Sequence, residues 1–425
     1  MNDVPGNQLR PSAPSRWVGR LAALLALAAC VTLGTRTFAT PDLGYHLTYG
    51  TVFFDTGRLV DTNEDLIYAL PPTDLPPAQR PEPGPGSWYD DAGRYRFANA
   101  NWGTQVLFAA LHRLGGLDAL MVFRLCMMAA LFALLLTAMR RSGVPWPVAG
   151  AGILLAVAVA YPRLHMRPGV LGFLLLAGQL AVLLPLADPR RTVTWRAVAL
   201  LGGLQLVLVN LHSYFLLGLA MTGTFLVDRL LRYGWYRLTP IRWKADRFVS
   251  RDPIAWRPVR NDCFRLAVAA GLQTAVCFVN PWTWRLAILP IQTLRFIRRH
   301  GIAGGDPSNV TGHPWSRIGE FFGPFAKVGL EYSLATYAFV GLLVLAGLAI
   351  LLSLVMRRWS LSLLMAGMVT VSLSMRRNMA PAAVVLSPTI IAVFTLAVRR
   401  LWGGLSGRVR GTAEIAGGVL VGAAA

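Results

Sequence analysis

The chain of 425 residues carries a formal charge of +21, yet 55% of its residues are hydrophobic and only 14% are charged. Its mean hydropathy is +0.50, which argues against a soluble multidomain protein and is typical of a polytopic membrane protein. The basic residues form short clusters between apolar runs, as the positive-inside bias requires, so the charge does not indicate a nucleic-acid partner.

Apolar segments long enough to cross a membrane as helices follow one another along the whole chain. They lie at about 18–38, 117–139, 146–162, 168–187, 195–211, 213–231, 263–280, 333–356, 359–375 and 380–398. We therefore predict an all-α fold: a polytopic transmembrane helical bundle of about ten spans with helical outside loops. Residues 1–400 are expected to form a single integral membrane domain, followed by a cytoplasmic tail at 401–425.

Basic clusters follow every second predicted span, and these ends are expected to be cytoplasmic, together with both termini. The clusters include Arg140–Arg141, Arg190–Arg191, a basic loop at about 232–262, Arg357–Arg358 and Arg399–Arg400. The acidic segment at about 40–116 and the segment at about 281–332 are then the long outside loops.

Asp42 and His46 follow the first span and are four residues apart, so a helix would bring them to one face. A carboxylate there can accept a proton from a hydroxyl nucleophile, with His46 positioning it. The alternative is that Asp42 caps a helix beginning near Leu43.

Two short outside turns carry arginines against the positive-inside trend. The first holds Arg163, His165 and Arg167, and the last holds Arg376–Arg377–Asn378. Because a guanidinium fork matches phosphate oxygens, these turns indicate an anion site. Contact of snorkelling arginines with lipid headgroups is the alternative interpretation.

Other polar groups at predicted span ends or in the outside loops are candidates for substrate binding, because polar residues converging in a membrane bundle indicate function. They are Asn99, Trp102, Gln105, Asn210, His212, Asn280 and Glu320. For the asparagines, satisfying loose helix-end carbonyls is the alternative role. No spacing of Cys and His indicates a metal site, and the sequence gives no support for a divalent cation or another cofactor.

The stretch from Asp42 to Gly50, followed by Gly57, Arg58 and Asp61, resembles bacterial polytopic proteins related to the glycosyltransferase-C superfamily. In that group an Asp-Leu-Trp-Trp-His-Leu-x-x-Gly stretch follows the first span. Later motifs keep the expected order over most of the chain: Asn99 to Gln105, Gly115–Gly116, Arg124, Arg167–Pro168, Asn210 to His212, Asn280–Pro281, Glu320 and Arg376 to Asn378.

The resemblance implies a membrane glycosyltransferase at the outer face of the bacterial cytoplasmic membrane. It would take sugar from a polyprenyl-phosphate donor and pass it to a glycan, lipid or protein acceptor. In the superfamily an acidic residue of the first outside loop acts as base, which would be Asp42 here. Gly44–Tyr45 replaces the usual Trp pair and Thr40 stands where many relatives have a further Asp, so a paired-carboxylate metal site does not carry over.

The expected reaction is inverting transfer, in which Asp42 deprotonates an acceptor hydroxyl while the lipid phosphate departs. Arg167 and Arg376 are the first candidates for holding that phosphate, with Arg163 and Arg377 in reserve. A transporter or flippase for an anionic lipid or solute is one alternative, although the spans carry few polar groups. A noncatalytic subunit in envelope assembly is the other.

Overall fold

The structure, a computed structural model, describes residues 13–38, 42–62, 76–80, 82–238, 256–302, 318–326 and 333–403. Thr40, most of the basic loop after Leu238 and the tail from 404 lie outside the described residues. The helices in the described ranges are α1 (Ala13–Gly34), α2 (Asp42–Thr56), α3 (Trp102–Arg141), α4 (Trp146–Ala160), α5 (Pro168–Leu183), α6 (Trp195–Leu211), α7 (Phe215–Leu238), α8 (Trp256–Val276), α9 (Trp284–Arg299), α10 (Leu334–Val355), α11 (Trp359–Ser374) and α12 (Met379–Gly403).

The predicted all-α class is confirmed, because each predicted apolar segment coincides with a helix to within a few residues. Five helical segments of the described ranges are long and apolar enough to cross a membrane. They are Trp102–Arg141, Trp146–Arg163, Pro168–Ala187, Leu334–Val355 and Arg376–Leu401. Shorter apolar helices at Leu24–Gly34, Trp195–Leu211 and Trp359–Ser374 pack with them, as in a polytopic membrane bundle.

Helices α5 and α12 lie at the centre of the bundle, and most of their side chains are buried. Small residues allow the close approach of helices that a lipid environment favours. At Gly152 of α4, an added methyl group would come within 2.9 Å of Ile391 on α12. The Ser387 hydroxyl of α12 donates to the Gly152 carbonyl, which adds a polar contact to this helix pair.

Helix α3 is broken at Gly115–Gly116, where Gly116 has a φ of 60° and a ψ of −146°. This backbone conformation is accessible to glycine and costly for other residues. The break separates the stretch from Trp102 to Leu114 from the membrane-crossing part. Phe108 is buried in that first stretch. Gly50 of α2 approaches the backbone of the same stretch closely, so α2 and the start of α3 form one packed layer.

Arg124 of α3 is buried and caps the end of α1. Its Nε donates to the Gly34 carbonyl at 2.8 Å, and its Nη2 donates to the Arg36 carbonyl. A positive charge at a helix C-terminus compensates the loose carbonyls and the helix dipole. The Arg124 motif therefore has a structural explanation.

A small antiparallel hairpin, β1 (Ser87–Tyr89) and β2 (Tyr95–Phe97), lies in the first long loop and adds two short strands to the helical fold. Its three-residue strands are too short to give a periodic pattern in the sequence. Asp61 accepts from Arg96 of β2 at 2.7 Å and from the Trp282 indole at 3.2 Å. The two long loops predicted to lie outside are thereby joined.

Candidate functional site

The polar ends of several helices meet on one side of the bundle, called the site end below. Trp102 Nε1 donates to Asn210 Oδ1 at 3.2 Å, which joins the start of α3 to the end of α6. Asn210 Nδ2 donates in turn to the Val279 carbonyl after α8, at 2.9 Å. The Tyr214 hydroxyl donates to the Arg377 carbonyl before α12 at 3.3 Å. Span ends that are distant in sequence are therefore neighbours, as the charge topology predicted.

A polar pocket of about 190 Å³ opens at the site end. Its walls come from α2, α5, the α4–α5, α6–α7 and α11–α12 turns, and the segment around Glu320. The lining residues are Asp42, Tyr45, His46, Asn101, Arg163, Arg167, Pro168, Gly169, Phe173, His212, Tyr214, Glu320 and Arg377.

Four charged side chains form a continuous chain on the pocket wall. Arg167 Nε lies 3.1 Å from Asp42 Oδ2, and its Nη1 lies 2.9 Å from Glu320 Oε1. Arg163 Nη1 lies 2.6 Å from the same Glu320 oxygen. Glu320 thus contacts both arginines of the first turn, while Asp42 contacts one.

The position of Arg167 follows from its place directly before Pro168. Proline is favoured in the first turn of a helix, and the residue before it is held in the extended region. Arg167 has a φ of −138° and a ψ of 153°, and α5 begins at Pro168. Helix α5 therefore starts at the pocket, with Arg167 and Gly169 lining its wall.

Glu320 is held in its ionised form. Burial alone raises the pKa of its carboxyl, but the guanidinium groups of Arg163, Arg167 and Arg377 outweigh burial and lower that pKa below its ordinary value. An ionised carboxylate accepts hydrogen bonds and has no proton to donate. Glu320 therefore acts in this pocket as a fixed negative charge that orients the arginines.

His46 is 2% exposed and is held by a buried amide relay. Gln105 Nε2 lies 3.4 Å from His46 Nδ1, and Gln105 Oε1 accepts from Asn99 Nδ2 at 2.7 Å. Because an amide nitrogen only donates, His46 Nδ1 accepts and the ring proton lies on Nε2. Burial, reinforced by Arg167, lowers the pKa of His46 to about 3, so its imidazole is neutral near pH 7.

His212 is also a neutral wall residue, since burial and then Arg377, His46 and Arg163 lower its pKa well below the ordinary value. Its ring lies 4.1 Å from the Tyr214 ring, which stacks on Phe173 at 5.8 Å. These rings give the charged pocket an aromatic wall. Such a wall suits the apolar faces of a sugar ring.

Of the two arginines in the last turn, Arg377 lines the pocket and Arg376 does not. Arg376 Nη2 donates to the Ala326 carbonyl at 2.8 Å, and its backbone N–H donates to the Phe322 carbonyl at 2.7 Å. The positions of the two side chains therefore do not support the prediction that Arg376, before Arg377, holds the phosphate.

The predicted residues outside the pocket lining make contacts that hold the scaffold. Asn280 Nδ2 donates to the carbonyls of Cys277 and Thr283, at 2.8 and 3.1 Å. Asn378 Nδ2 donates to the Val371 carbonyl at the end of α11, at 3.2 Å. These contacts match the helix-end role, as do those of Asn210, while Trp102 holds the Asn210 side chain. A role for any of them in substrate binding stays a prediction.

His165, the remaining candidate, is half-buried in the turn and does not line the pocket. Burial and then four arginines, of which Arg167 and Arg36 are the strongest, lower its pKa. It faces a positively charged environment beside the end of α1.

Tyr45, Asn101, Phe173 and Tyr214 line the pocket but were not among the predicted site residues. The position of Tyr45, where relatives carry one of two tryptophans, was the available signal for one of them. Phe173 gave no such signal in the sequence, because an aromatic residue within an apolar helix is usually a core residue.

The pocket residues do not fit a divalent cation. Both carboxylates, Asp42 and Glu320, are engaged by Arg167, and a cation between them would meet that guanidinium. Within the described ranges there is no group of three or more His, Cys, Asp or Glu side chains that could hold a metal ion.

Solved structures share the fold of this chain at low sequence identity, so the comparison bears on the fold alone. Two similar solved structures are of the oligosaccharyltransferase of Archaeoglobus fulgidus. The form tethered to an acceptor peptide containing the NVT sequon has a TM-score of 0.53 and 11% identity, covering 96% of this chain and 53% of that one. The apo form has a TM-score of 0.51 and 12% identity, covering 96% and 54%.

This chain spans about half the length of those enzymes. No protein-family model matches the sequence, and no curated protein matches it. The likeness therefore defines the fold alone, and the evidence for the chemistry lies in the pocket residues.

Proposed function

We propose that the protein is a membrane glycosyltransferase of the glycosyltransferase-C type. It transfers a sugar from a polyprenyl-phosphate donor to an envelope glycan, lipid or protein acceptor at the outer face of the bacterial cytoplasmic membrane. The observation that carries the proposal is the Asp42–Arg167–Glu320–Arg163 chain on the wall of a pocket at the end of a membrane bundle.

The charges of the pocket suit a single phosphodiester. Three guanidinium groups, of Arg163, Arg167 and Arg377, face two carboxylates, of Asp42 and Glu320, while both histidines are neutral. Three positive and two negative charges leave one net positive charge. A sugar joined to a lipid through one phosphate carries one negative charge, which this surplus would neutralise.

In the proposed reaction Asp42 takes the proton of the acceptor hydroxyl through Oδ1, because Arg167 already holds Oδ2. The acceptor oxygen forms a bond to the anomeric carbon, and the bond from that carbon to the phosphate oxygen breaks. The lipid phosphate leaves with the electron pair. Because the acceptor oxygen attacks from the opposite face, the configuration at the anomeric carbon is inverted. Arg163, Arg167 and Arg377 would stabilise the charge that grows on it.

Two further features support sugar transfer. Phe173 and Tyr214 line the pocket as a stacked pair, and aromatic side chains in a lining suit the apolar face of a sugar ring. One of the similar solved structures carries an acceptor peptide, so a protein acceptor is among the substrates to be tested.

The test is transfer of labelled sugar from polyprenyl-phosphate donors to extracted envelope acceptors by the purified full-length protein. Asp42→Asn keeps the size of the side chain but removes its basicity, so we expect the rate to fall by about 10² to 10⁴. Asp55→Asn is the matched control, because Asp55 lies on the same helix but pairs with Arg113.

The control should retain transfer, and both variants should elute as single peaks in gel filtration. Near-normal transfer by Asp42→Asn would eliminate the proposed base. Donor binding without turnover by the wild-type protein would instead favour the noncatalytic subunit.

The transporter alternative requires a polar path through the bundle. The buried polar residues at membrane depth include Gln179, Gln205 and Gln273, which hydrogen-bond to one another at 3.1 to 3.2 Å. Each of the three amide nitrogens donates within the bundle, and such contacts join helices in a membrane. They support a static bundle with its chemistry at one end.

A further inference from the structure

Helix α9 has one face packed against the rest of the protein. Leu286 and Ile297 are buried, and Leu289 lies against Gly86 beside the hairpin. Gln292 Oε1 accepts from the Gly86 N–H at 3.0 Å, which fixes the helix in rotation. The opposite face is therefore held outward in a defined orientation.

The outward face carries a row of residues at helical spacing: Trp284, Ile288, Ile291, Arg295 and Arg298. Trp284 is 51% exposed and Ile291 is 41% exposed, while Arg295 and Arg298 are exposed one turn apart. The row is thus apolar in its first half and basic in its second. Helices in a membrane interface present apolar side chains to the acyl boundary and basic side chains to the headgroups, and this row offers both along its length.

The apolar half continues the lipid-facing surface of the bundle. Phe278 and Val279, directly after α8, are 47% and 56% exposed, and Trp284 follows five residues later. Tryptophan is enriched at the level of the lipid headgroups. The exposed row therefore begins where the apolar surface of the bundle ends.

We propose that α9 lies in the membrane interface at the site end and that Arg295 and Arg298 bind the phosphates of anionic phospholipids there. Positive charge complements an anionic lipid surface, and guanidinium groups pair with phosphate oxygens. Arg299, at the edge of the row, lies 3.4 Å from Glu82 and is not needed for this contact. The proposal does not depend on sugar transfer.

The lipid contact would also bear on the pocket. Ile297 and Ile302, at the end of α9, form a small apolar cluster with Phe321, Phe322 and Met375. Phe321 directly follows Glu320, and Met375 directly precedes the turn of Arg376 and Arg377. A membrane-bound α9 would hold that cluster, and with it Glu320, in place over the pocket.

The test uses the full-length protein in nanodiscs, with Cys30, Cys126, Cys263 and Cys277 changed to Ser. Ile291→Cys carries an environment-sensitive fluorophore, and quenching by a headgroup-proximal spin-labelled lipid reports insertion. The discs contain phosphatidylcholine alone or with added phosphatidylglycerol. We expect quenching to increase with phosphatidylglycerol, because two arginines favour the bound state on an anionic surface by roughly twentyfold to thirtyfold.

Arg295→Gln with Arg298→Gln should abolish that increase, with an unchanged gel-filtration profile. Arg190→Gln with Arg196→Gln removes the same charge from the other end of the bundle and should preserve the increase. Quenching that does not depend on phosphatidylglycerol, or that increases equally in the Arg295/Arg298 variant, overturns the proposal. Quenching by aqueous iodide in both lipid mixtures also overturns it and indicates a water-facing surface for another partner.

Discussion

The two ends of the bundle use arginine differently. At the end opposite the pocket, Arg141, Arg265 and Arg358 donate to the backbone carbonyls of Ala181, Val193 and Ala187, at 3.2, 2.6 and 2.8 Å. Around the pocket, Arg163 and Arg167 pair with carboxylate side chains. An arginine that satisfies a carbonyl stabilises a helix end, whereas one that shares a carboxylate can exchange that partner for a ligand.

Arg229 is an exception at the opposite end, because it contacts two carboxylates as well as a carbonyl. It lies 3.5 Å from Asp262 and 3.9 Å from Asp228, and it donates to the Leu186 carbonyl. All three charged side chains are almost completely buried. Such a network is structural by position, since it is remote from the pocket.

The largest expected effect is on stability. Arg229→Met leaves Asp228 and Asp262 buried with less compensation, which should cost about 3 to 5 kcal/mol of folding free energy. The measurement is the midpoint of thermal unfolding in detergent, followed by gel filtration of the folded fraction. Transfer per folded molecule should stay near wild type, and a selective loss of transfer would break the division between the two ends.

Removing a pocket arginine should give the converse result. Arg167→Gln should lower transfer about 10² to 10³ fold, because it removes charge stabilisation from the departing phosphate. The unfolding midpoint should change little, since Asp42 and Glu320 are partly solvated. Arg265→Gln is the matched control and should lower the midpoint while sparing transfer. Equal activity of the two variants would contradict the assignment.

The next effect is the change of stability with pH. The folded-state pKa of His46 is lowered to about 3, so below its ordinary value the unfolded chain binds a proton that the folded chain does not. Stability should therefore fall as pH decreases from about 6.5 towards 3, by up to about 1.4 kcal/mol per pH unit for this group. His46→Gln should reduce the dependence of the unfolding midpoint between those limits, and His212 and His165, whose pKa values are also lowered, should account for part of what remains. His112→Gln, at an exposed position on α3, should leave it unchanged.

The smallest effect concerns the two adjacent arginines of the last turn. Arg376→Gln removes a hydrogen bond to the Ala326 carbonyl and should cost about 0.5 to 1.5 kcal/mol of stability, with transfer nearly unchanged. Arg377→Gln removes a pocket charge and should weaken donor binding about tenfold, with little effect on stability. The reverse pattern would assign the phosphate contact to Arg376. Donor titrations beside melting curves distinguish the two.

Much of this arrangement was predictable because membranes restrict the choices of a chain. The apolar runs specified helices, and the arginine clusters specified which helix ends lie together. Asp42, Arg163 and Arg167 were therefore predicted to lie at one end of the bundle, and the structure places all three in the pocket lining. The contacts between Trp102, Asn210 and Val279 are the direct structural outcome of that topology.

The remaining details depended on contacts that a local pattern does not contain. Arg376 and Arg377 are adjacent, and which of them faces the pocket follows from where the carbonyls of Phe322 and Ala326 lie. Glu320 pairs with Arg163 across 157 positions, so the sequence around either residue does not indicate its partner. The resemblance supplied the order of the motifs but did not indicate which of the two arginine side chains faces the pocket.

The contacts of the site end have a consequence for the order in which the protein folds. Arg163 meets Glu320 across 157 positions, Tyr214 meets Arg377 across 163, and Asp61 meets Trp282 across 221. Contacts between such distant residues form late, because the whole intervening chain must first be made. The early helices can enter the bilayer during synthesis, but the pocket is incomplete until the segment around Glu320 and the final turn have emerged. A chain interrupted before that point would hold most of the bundle and none of the completed pocket.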